Sequence, residues 1–374
     1  MKLPADVLYI FNSLKPSASW LVGGAVRDFL QTGTYPTDID IATQATPEEV
    51  MERLTTAGLY VVPTGLKHGT VTAVFKHKPY EITTLRKDVA THGRHADVTF
   101  TLDVEEDATR RDFTFNALYM DETGEILDFF GGKEDLKKGF VRFIGDAATR
   151  MDEDYLRILR YFRFQARFGK EGLSVLLQAP IKDVLTEKAP LLKNLSAERV
   201  TGELLKAMNV ERIFSMWPFM HECGVLQALH LQEGYDLSVD VNTCGEFLRL
   251  AGIYHQNVDV LQKALKLSNA QKKVLKQFEK ALSVNADIPM AVKLYRYGLQ
   301  ATHAATLVQG KPWPNYTEKD IPVFPLTGQD ALNLGMSAGP QVGEAMKKME
   351  AWWLAHNFPT KEICLEQLKK EPLK

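Results

Sequence analysis

Only three cysteines occur in 374 residues, at 223, 244 and 364, an odd and scattered set without paired metal-ligand spacing. Disulfides and a zinc centre are therefore not expected, and the thiols fit reduced, structural positions. No apolar run approaches the roughly 20 residues that a bilayer span requires. Asp6 interrupts the apolar stretch at the N-terminus and no small-residue cleavage site follows it, so neither a membrane protein nor a secretory signal is expected. The expected compartment is the cytoplasm. Charge of one sign is scarce too: 45 Lys and Arg against 47 Asp and Glu leave a net charge of -2. That balance carries no global nucleic-acid signature, so a polyanion must be met by a local basic patch. There is no repeat of fixed period and no low-complexity tract. What remains is ordinary globular composition, 45% apolar and 25% charged, in a chain long enough for two or three domains.

Organisation changes along the chain. The first 140 or so residues alternate short β-branched runs with turns, as in "WLVGGAV", "DIDIAT" and "TVTAVFKHKPYEITTLR". "FKHKPYEITT" predicts a hairpin with Pro79 near its turn, and "YMDETGEIL" a second around Gly124. From Asp146 onward long helical patterns dominate, among them "SAERVTGELLKAM" behind an N-cap candidate at Ser196, and "NAQKKVLKQFEKAL". Near the end, Gly339 and Pro340 punctuate the start of another helix, with Pro340 near its first position. The fold class read from this pattern is α+β: an N-terminal head with a mixed β-sheet, followed by all-α modules.

The chemistry-bearing stretch of the head is "LVGGAVRDFLQTGTYPTDIDIAT". Asp38 and Asp40 flank Ile39 in a β-branched run, and side chains two apart on a strand share one face. Two carboxylates so placed repel unless a cation sits between them, and oxygen-only ligands suit Mg²⁺. Glu81 opens "EITTLR" on a later strand and can reach the same place across the sheet. A solvent-exposed strand end is the plainer alternative. Upstream, Gly23 and Gly24 follow an apolar strand and open the short helix "AVRDFL", so their N–H groups can face a polyphosphate, with Arg27 as a fixed cation.

"EDYLRILRYFRF" (153 to 164) poses a different problem. Asp154, Arg157, Arg160 and Arg163 recur every three positions, forming one slanted ridge on a helix whose other sides are apolar. Read alone, the ridge is an Asp154 to Arg157 ion pair with solvated arginines, worth only about 0.3 kcal/mol per pair. Similarly, Arg110, Arg111 and Asp112 of "RRDFTFNAL" read alone as a salt-bridge cluster. Lys263, Lys266, Lys272, Lys273, Lys276 and Lys280 form either a phosphate-facing surface or a merely solvated one. His68, His92 and His95 are read as structural or phosphate-contacting rather than as metal ligands.

In order and spacing, "LVGGAVRD", "TDIDIAT", "RRDFTFNAL", "LDFFGG", "EDYLRILR" and "SAERV" resemble the class II tRNA nucleotidyltransferases, the CCA-adding enzymes of the polymerase β superfamily. The resemblance is strong over residues 15 to 210, and "TGQDALNLGMSAGPQVGEAM" is similar to the tail of the bacillus-type enzymes. It implies a catalytic head at 1–145, a neck at 146–208 that recognises the base, a helical body at 209–300 and a tRNA-binding tail at 301–374. It further implies two-metal nucleotidyl transfer with Mg²⁺ as cofactor, Asp38 and Asp40 holding the metal and Glu81 as third catalytic carboxylate. Nucleotide binding would fall to Gly23, Gly24, Arg27, Arg111, Asp112, Asn116, Asp154, Arg157, Arg160 and Arg163. Within that set Asp112 and Asn116 would read the ribose 2′-hydroxyl, and Asp154 and Arg157 would act as an amino-acid template for C and A.

The implied partners are the acceptor arm and 3′ end of tRNA, with ATP and CTP as substrates and no membrane. The quaternary state stands open between monomer and homodimer. The segment 85 to 107 corresponds to the loop that the family needs for the final A, which weighs against a CC-only enzyme. Its "THGRHADV" has Ala96 where a proline is common. A bacterial poly(A) polymerase, which shares the head, and an RNA-binding scaffold with an inactive head are the other readings. No His-Asp dipeptide occurs, so a fused metal phosphohydrolase is not expected.

Overall fold

The computed structural model describes residues 2–92, 95–170, 173–285 and 287–370, with side chains left aside at 88–97 and 171–180. The chain divides into two compact units, one running to Gln232 and the other from Glu233.

The first unit opens with helix α1 (Ala5–Ser13) and strand β1 (Ser19–Val22), followed by α2 (Gly24–Thr32), β2 (Asp40–Thr43) and α3 (Pro47–Thr56). Then come β3 (Tyr60–Gly65), β4 (Thr70–Phe75), β5 (Lys78–Thr84), β6 (Arg86–His92), β7 (His95–Phe100), α4 (Val104–Thr109), β8 (Leu118–Met120) and β9 (Ile126–Asp128). Seven of these strands form one mixed sheet in the order β3-β4-β5-β2-β1-β8-β9, while β6 and β7 pair separately. Only β2 and β5 run parallel, and their register sets Asp40 directly opposite Glu81. Cα partners in a parallel pair project to the same face, so the two carboxylates emerge side by side. β1, buried along its whole length, ends at Val22, where Gly23 at φ 64° turns the chain into α2. A left-handed residue is needed there, and a Cβ would also come within 3.3 Å of Arg111 Nη1.

The predicted β4–β5 hairpin turns at Lys76 and His77, both at positive φ, with Pro79 just past the turn, opposite Val74. Two predicted details differ. Asp38 sits in a bend before β2, because β1 gives way to α2 at that level and leaves β2 unpaired on that side beyond Asp40. The helix of the arginine ridge begins at Leu156, not at Glu153. Asp154 has extended backbone, its Oδ1 accepts the Leu156 N–H at 3.1 Å, and this Asx turn separates α6 (Ala147–Glu153) from α7 (Leu156–Phe168). The predicted turn at Gly124 stands, at φ 84° between β8 and β9. The predicted loop at 85 to 107 contains the paired strands β6 and β7 and the start of α4. Its side chains at 92, 95 and 96 lie outside the described residues.

α5 (Gly132–Lys138) leads through α6 to α7, and α8 (Leu173–Lys188) and α9 (Ala197–Met208) complete the helices around it. Ser196 takes the predicted N-cap position of α9, without a side-chain cap bond. What seats α7 is aromatic: Phe113, Phe115, Phe143, Tyr161, Phe164 and Phe168 form one cluster, with Phe113 to Phe164 and Phe115 to Phe168 edge-on at 5.3 Å. Edge-on pairs of this kind add about 0.5–1.5 kcal/mol each beyond area burial. They lock α7 against the turn at 113–116 and set Arg157 and Arg160 beside the Arg110 carbonyl and Asp112.

The second unit is helical. Its helix Asn269–Ser283 begins with a Ser268 capping box and buries Leu275 and Phe278, leaving Lys272, Lys273, Lys276 and Lys280 exposed. Pro340 stands at the first position of Pro340–Ala355, as predicted. Trp353 of that helix sits among Tyr295, Phe324 and Phe358. Among the described residues no helix is long and apolar enough to cross a membrane.

Candidate active site

A cavity of about 300 Å³ opens where the end of β1, the edge of β2, the 111–116 segment and the start of α7 meet. It collects Gly23, Gly24, Arg27, Asp40, Arg111, Asp112, Asn116, Asp154, Arg157 and Arg160 from the predicted set, and adds Phe164. Asp38, Glu81 and Arg163 of that set do not line it.

The carboxylate side comes first. Asp40 keeps an open edge toward the cavity but is flanked by protein elsewhere. That partial burial, with the negative charges of Asp38 and Glu81 beside it, pushes its pKa up to about 6 against the pull of Arg111 and Arg27. Three carboxylates thus share one corner of the sheet edge, and the middle one bears the cost.

Opposite them runs an alternating chain of charges and amides. Arg27 donates through Nη1 to Asn116 Oδ1 at 2.6 Å and through Nε to Asp28 Oδ1 at 2.8 Å. Asn116 Nδ2 donates to Asp112 Oδ1 at 2.9 Å, and Arg160 donates through Nε to Asp112 Oδ2 at 2.7 Å. Asp112 also accepts the Phe113 N–H at 2.9 Å. Burial raises the Asp112 pKa, but Arg160 and these hydrogen bonds outweigh it and hold the group below its ordinary value. Arg27 is buried against Phe164 and Phe168, at 5.2 and 4.8 Å from the ring centroids. Phe164 also receives Arg160 at 5.2 Å and Arg163 at 4.2 Å, so one ring spaces three guanidiniums. Phe164 is not in the sequence-predicted site set; it falls among the apolar residues of "EDYLRILRYFRF". Its place four residues after Arg160 on the arginine side was the available signal.

The ridge is not a row of solvated arginines. Asp154 pairs with Arg199 at 2.7 Å and Arg163 with buried Glu203 at 2.5 Å, both partners coming from α9. The pairing with Glu203 is what holds Arg163 away from the cavity. Arg157 Nη1 donates to Glu153 Oε2 at 2.5 Å and to the Arg150 carbonyl at 2.8 Å, and its Nη2 donates to the Arg110 carbonyl at 3.0 Å. Arg150 Nη2 reaches the carbonyls of Arg110 and Arg111 at 2.6 Å. The helices of the ridge are therefore bolted to the 110–111 backbone.

Beneath that backbone lies Asp107, 1% exposed and absent from the sequence-predicted set. Its Oδ1 accepts the Arg86 N–H at 3.0 Å and Arg110 Nε at 2.9 Å; its Oδ2 accepts Tyr119 Oη at 2.5 Å and Arg111 Nη2 at 3.2 Å. Burial pushes this carboxyl up, yet the Arg110 and Arg111 charges and the hydrogen bonds prevail and bring it down to about 2. A pKa below the unfolded value contributes stability above that value. About 2 kcal/mol is thus present near neutrality and is lost as pH falls from about 4 through 2. Asp107→Asn should remove that acid dependence and, by leaving two half-buried guanidiniums uncompensated, cost about 3 kcal/mol in urea denaturation at pH 7.

One cavity thus joins a carboxylate at the sheet edge, the glycine turn into α2, and an alternating set of guanidiniums and carboxylates from the 111–116 segment and α7. The family described as "Poly A polymerase head domain" matches residues 19–142, and that described as "Probable RNA and SrmB- binding site of polymerase A" matches residues 179–232. The mitochondrial CCA tRNA nucleotidyltransferase 1 of Danio rerio is 34% identical over 358 residues, covering 89% of this chain and 82% of its own. The CCA-adding enzyme of Geobacillus stearothermophilus is 32% identical over 392 residues, covering 95% of this chain and 93% of its own. The crystal structure of the Bacillus stearothermophilus CCA-adding enzyme in complex with CTP superimposes with a TM-score of 0.74 at 29% identity, covering 98% of this chain and 97% of that one. With identity above 30% sustained along nearly the whole length of both partners, this chain belongs to the CCA-adding tRNA nucleotidyltransferases, and its likeness to the bacillus-type enzymes extends through the tail.

Proposed function

We propose that this chain adds C, C and A to the 3′ end of tRNA from CTP and ATP, releasing pyrophosphate, without a nucleic-acid template. The observation that carries this reading is the single cavity in which the sheet-edge carboxylate Asp40 faces the base-reading pair Asp154 and Arg157. A triphosphate laid from one wall to the other presents its phosphorus to the carboxylate side and its base to α7.

Asp38 and Asp40 would hold Mg²⁺, with Glu81 beside them as the third carboxylate. The donor set fits: all ligand atoms are oxygens, and Asp40 is strained by two like charges that a cation would relieve. When bound there, the metal supplies Lewis-acid stabilisation to the attacking and leaving oxygens of an in-line displacement. The protein's own groups do the rest. At the start of α2 the Gly24 N–H and the adjacent Arg111 would donate to phosphate oxygens, whereas the Gly23 N–H, predicted to face the polyphosphate as well, is already given to the Leu118 carbonyl at 3.3 Å, so Gly23 serves by its turn and its missing side chain. Glu81, in register with Asp40, is placed to orient or accept the proton of the RNA 3′-hydroxyl.

Ribose recognition falls mainly to Asn116. Asp112 is already engaged on both oxygens: Oδ1 accepts from Phe113 and Asn116, and Oδ2 accepts from Nε of Arg160 and is ion-paired with its Nη2 at 2.5 Å. Among the described contacts Asn116 retains one N–H and one lone pair, enough for a hydroxyl that both donates and accepts. Asp112 positions Asn116 and Arg160.

Asp154 and Arg157 read the base. An amino group at C4 of cytosine or C6 of adenine meets the carboxylate, and the ring acceptors meet the guanidinium. Uracil and guanine turn a carbonyl to the carboxylate and are rejected. The paired strands β6 and β7 occupy the stretch associated with the final A. We divide the chain as head 1–145, neck 146–208, body 209–300 and tail 301–374, with the exposed lysines of Asn269–Ser283 toward tRNA phosphates. We assign it to the cytoplasm, in accord with three buried free thiols.

The name of the matching head family keeps a poly(A) polymerase as a second reading. Extension of a tRNA transcript ending at its discriminator base, with Mg²⁺ and CTP, ATP or both, tests the two. The expected result is two additions with CTP, one more with ATP, then a stop. A long A ladder would establish the second reading, and no extension would reject both.

A further inference from the structure

Asp154 and Arg157 carry opposite charges three residues apart, so the simplest partner for either is the other. A pair closed on itself has nothing to offer a base. The structure holds them apart. Asp154 Oδ1 accepts the Leu156 N–H at 3.1 Å and its Oδ2 accepts Nη2 of Arg199 at 2.7 Å, while Arg157 is engaged by Glu153 at 2.5 Å. Arg199 and Glu203 lie one turn apart on α9 and meet Asp154 and Arg163 with complementary charge. The side chains of the Asp154–Arg199 pair are 24% and 20% exposed, partly shielded from the screening that weakens surface pairs.

We infer that Arg199 is a specificity-determining positioning residue, one that draws the Asp154 carboxylate away from Arg157 and fixes its plane so that acceptor and donor edges stand side by side for the incoming base. A carboxylate has about four lone-pair sites. Leu156 and Arg199 use one on each oxygen, and one on each remains for an exocyclic amino group. Once Arg199 is removed, Oδ2 is free to turn about χ2 toward the remaining guanidiniums of α7, Arg157 or Arg160, the latter already under the charge of Asp154, and the acceptor edge is spent. A carboxylate that is already paired also no longer repels the O4 carbonyl of uracil. Selectivity then falls with affinity.

This inference rests on the nucleotide-adding reading above, and the test separates the two. Single-nucleotide addition to a tRNA transcript is measured with CTP and with UTP for the wild type, Arg199→Ala and Arg199→Lys, with kcat and KM resolved and Tm recorded. Arg199→Ala is expected to raise KM for CTP about tenfold and to cut the C-over-U ratio of kcat/KM about tenfold. Arg199→Lys should restore most of that ratio, since an ammonium still holds Oδ2 though without the planar fork. Equal losses for CTP and UTP, with the wild-type ratio kept in both variants, would overturn the inference and leave Arg199 a packing contact between α9 and α7. Should Arg199→Ala not fold, the lysine variant and Arg199→Gln decide in the same way, an unchanged ratio in both sinking the idea. A wild type that adds nothing, or adds C and U alike, would sink the functional reading itself and this inference with it.

Discussion

Asp40→Asn is expected to reduce nucleotide addition on the order of a thousandfold, the scale seen when a charge-stabilising group is removed from the reacting centre. The same change should make the free protein more stable at neutral pH. Asp40 has its pKa pushed up to about 6 from 3.8 by burial and by the neighbouring charges of Asp38 and Glu81. A raised value means that the folded state prefers the protonated form. The stability this group allows is fully present below the unfolded value and is lost as pH rises through about 6. Asparagine is neutral throughout and never loses it. The variant and wild type should therefore melt together near pH 3, diverge as the pH rises from about 4 to 6, and keep a constant gap above that. Because Asp40 keeps an open edge, screening reduces the gain to about 1 kcal/mol, or roughly 2–4 °C in Tm. Adding Mg²⁺ should raise the Tm of the wild type and leave the variant unmoved. Parallel melting curves across that pH range would show that the carboxylate is not under repulsion, and activity within tenfold of wild type would remove it from the catalytic centre.

The contrast between what was and was not legible in the sequence is clearest at Asp40 and Asp107. Asp40 belongs to a local string, with Asp38 two residues before it, and a parallel strand pairing brings in Glu81 across the sheet. Alternation and turn residues suffice to see such a site. Asp107 closes the segment 85 to 107 that reads as a loop, and only the fold reveals that Arg86, Arg110, Arg111 and Tyr119 converge on it. The ridge on α7 shows the same division. Its charges were legible from their spacing. Their partners Arg199 and Glu203 are some forty residues away, and no local periodicity points across that distance. The break at Asp154 was missed because helical period continues through it, while the Asx turn depends on one side-chain bond to Leu156. Arg163 falls in the expected nucleotide-binding set for the same reason: spacing gives a side of the helix, not what the neighbouring helix places there.

The sharpest loss of selectivity is expected from Asp154→Asn. The carboxylate accepts only, whereas the amide accepts through one atom and donates through the other at nearly unchanged shape. Cytosine can still give its amino proton to the oxygen, and uracil can now receive one from the nitrogen. A site built to hydrogen-bond one group rejects its opposite by about four orders of magnitude, so the C-over-U ratio has far to fall. A drop of at least a hundredfold is expected, mostly through better use of UTP, with kcat for CTP reduced less than tenfold. The amide nitrogen must also face a donor, either Arg199 or the Leu156 N–H, which adds a modest cost in KM for both nucleotides. Arg157→Ala should behave differently. It removes the donors for the ring acceptors of C and A alike, and it breaks the contacts to Glu153 and to the Arg150 and Arg110 carbonyls that bolt the helices to the head. Its kcat/KM should fall at least a hundredfold for both CTP and ATP, with a stability loss of about 2–3 kcal/mol. Incorporation measured with each of the four nucleotides, alongside urea denaturation, distinguishes the two variants. If Asp154→Asn still refuses UTP while Arg157→Ala loses stability without losing base-dependent affinity, the ridge is a structural joint and the base is read elsewhere in the cavity.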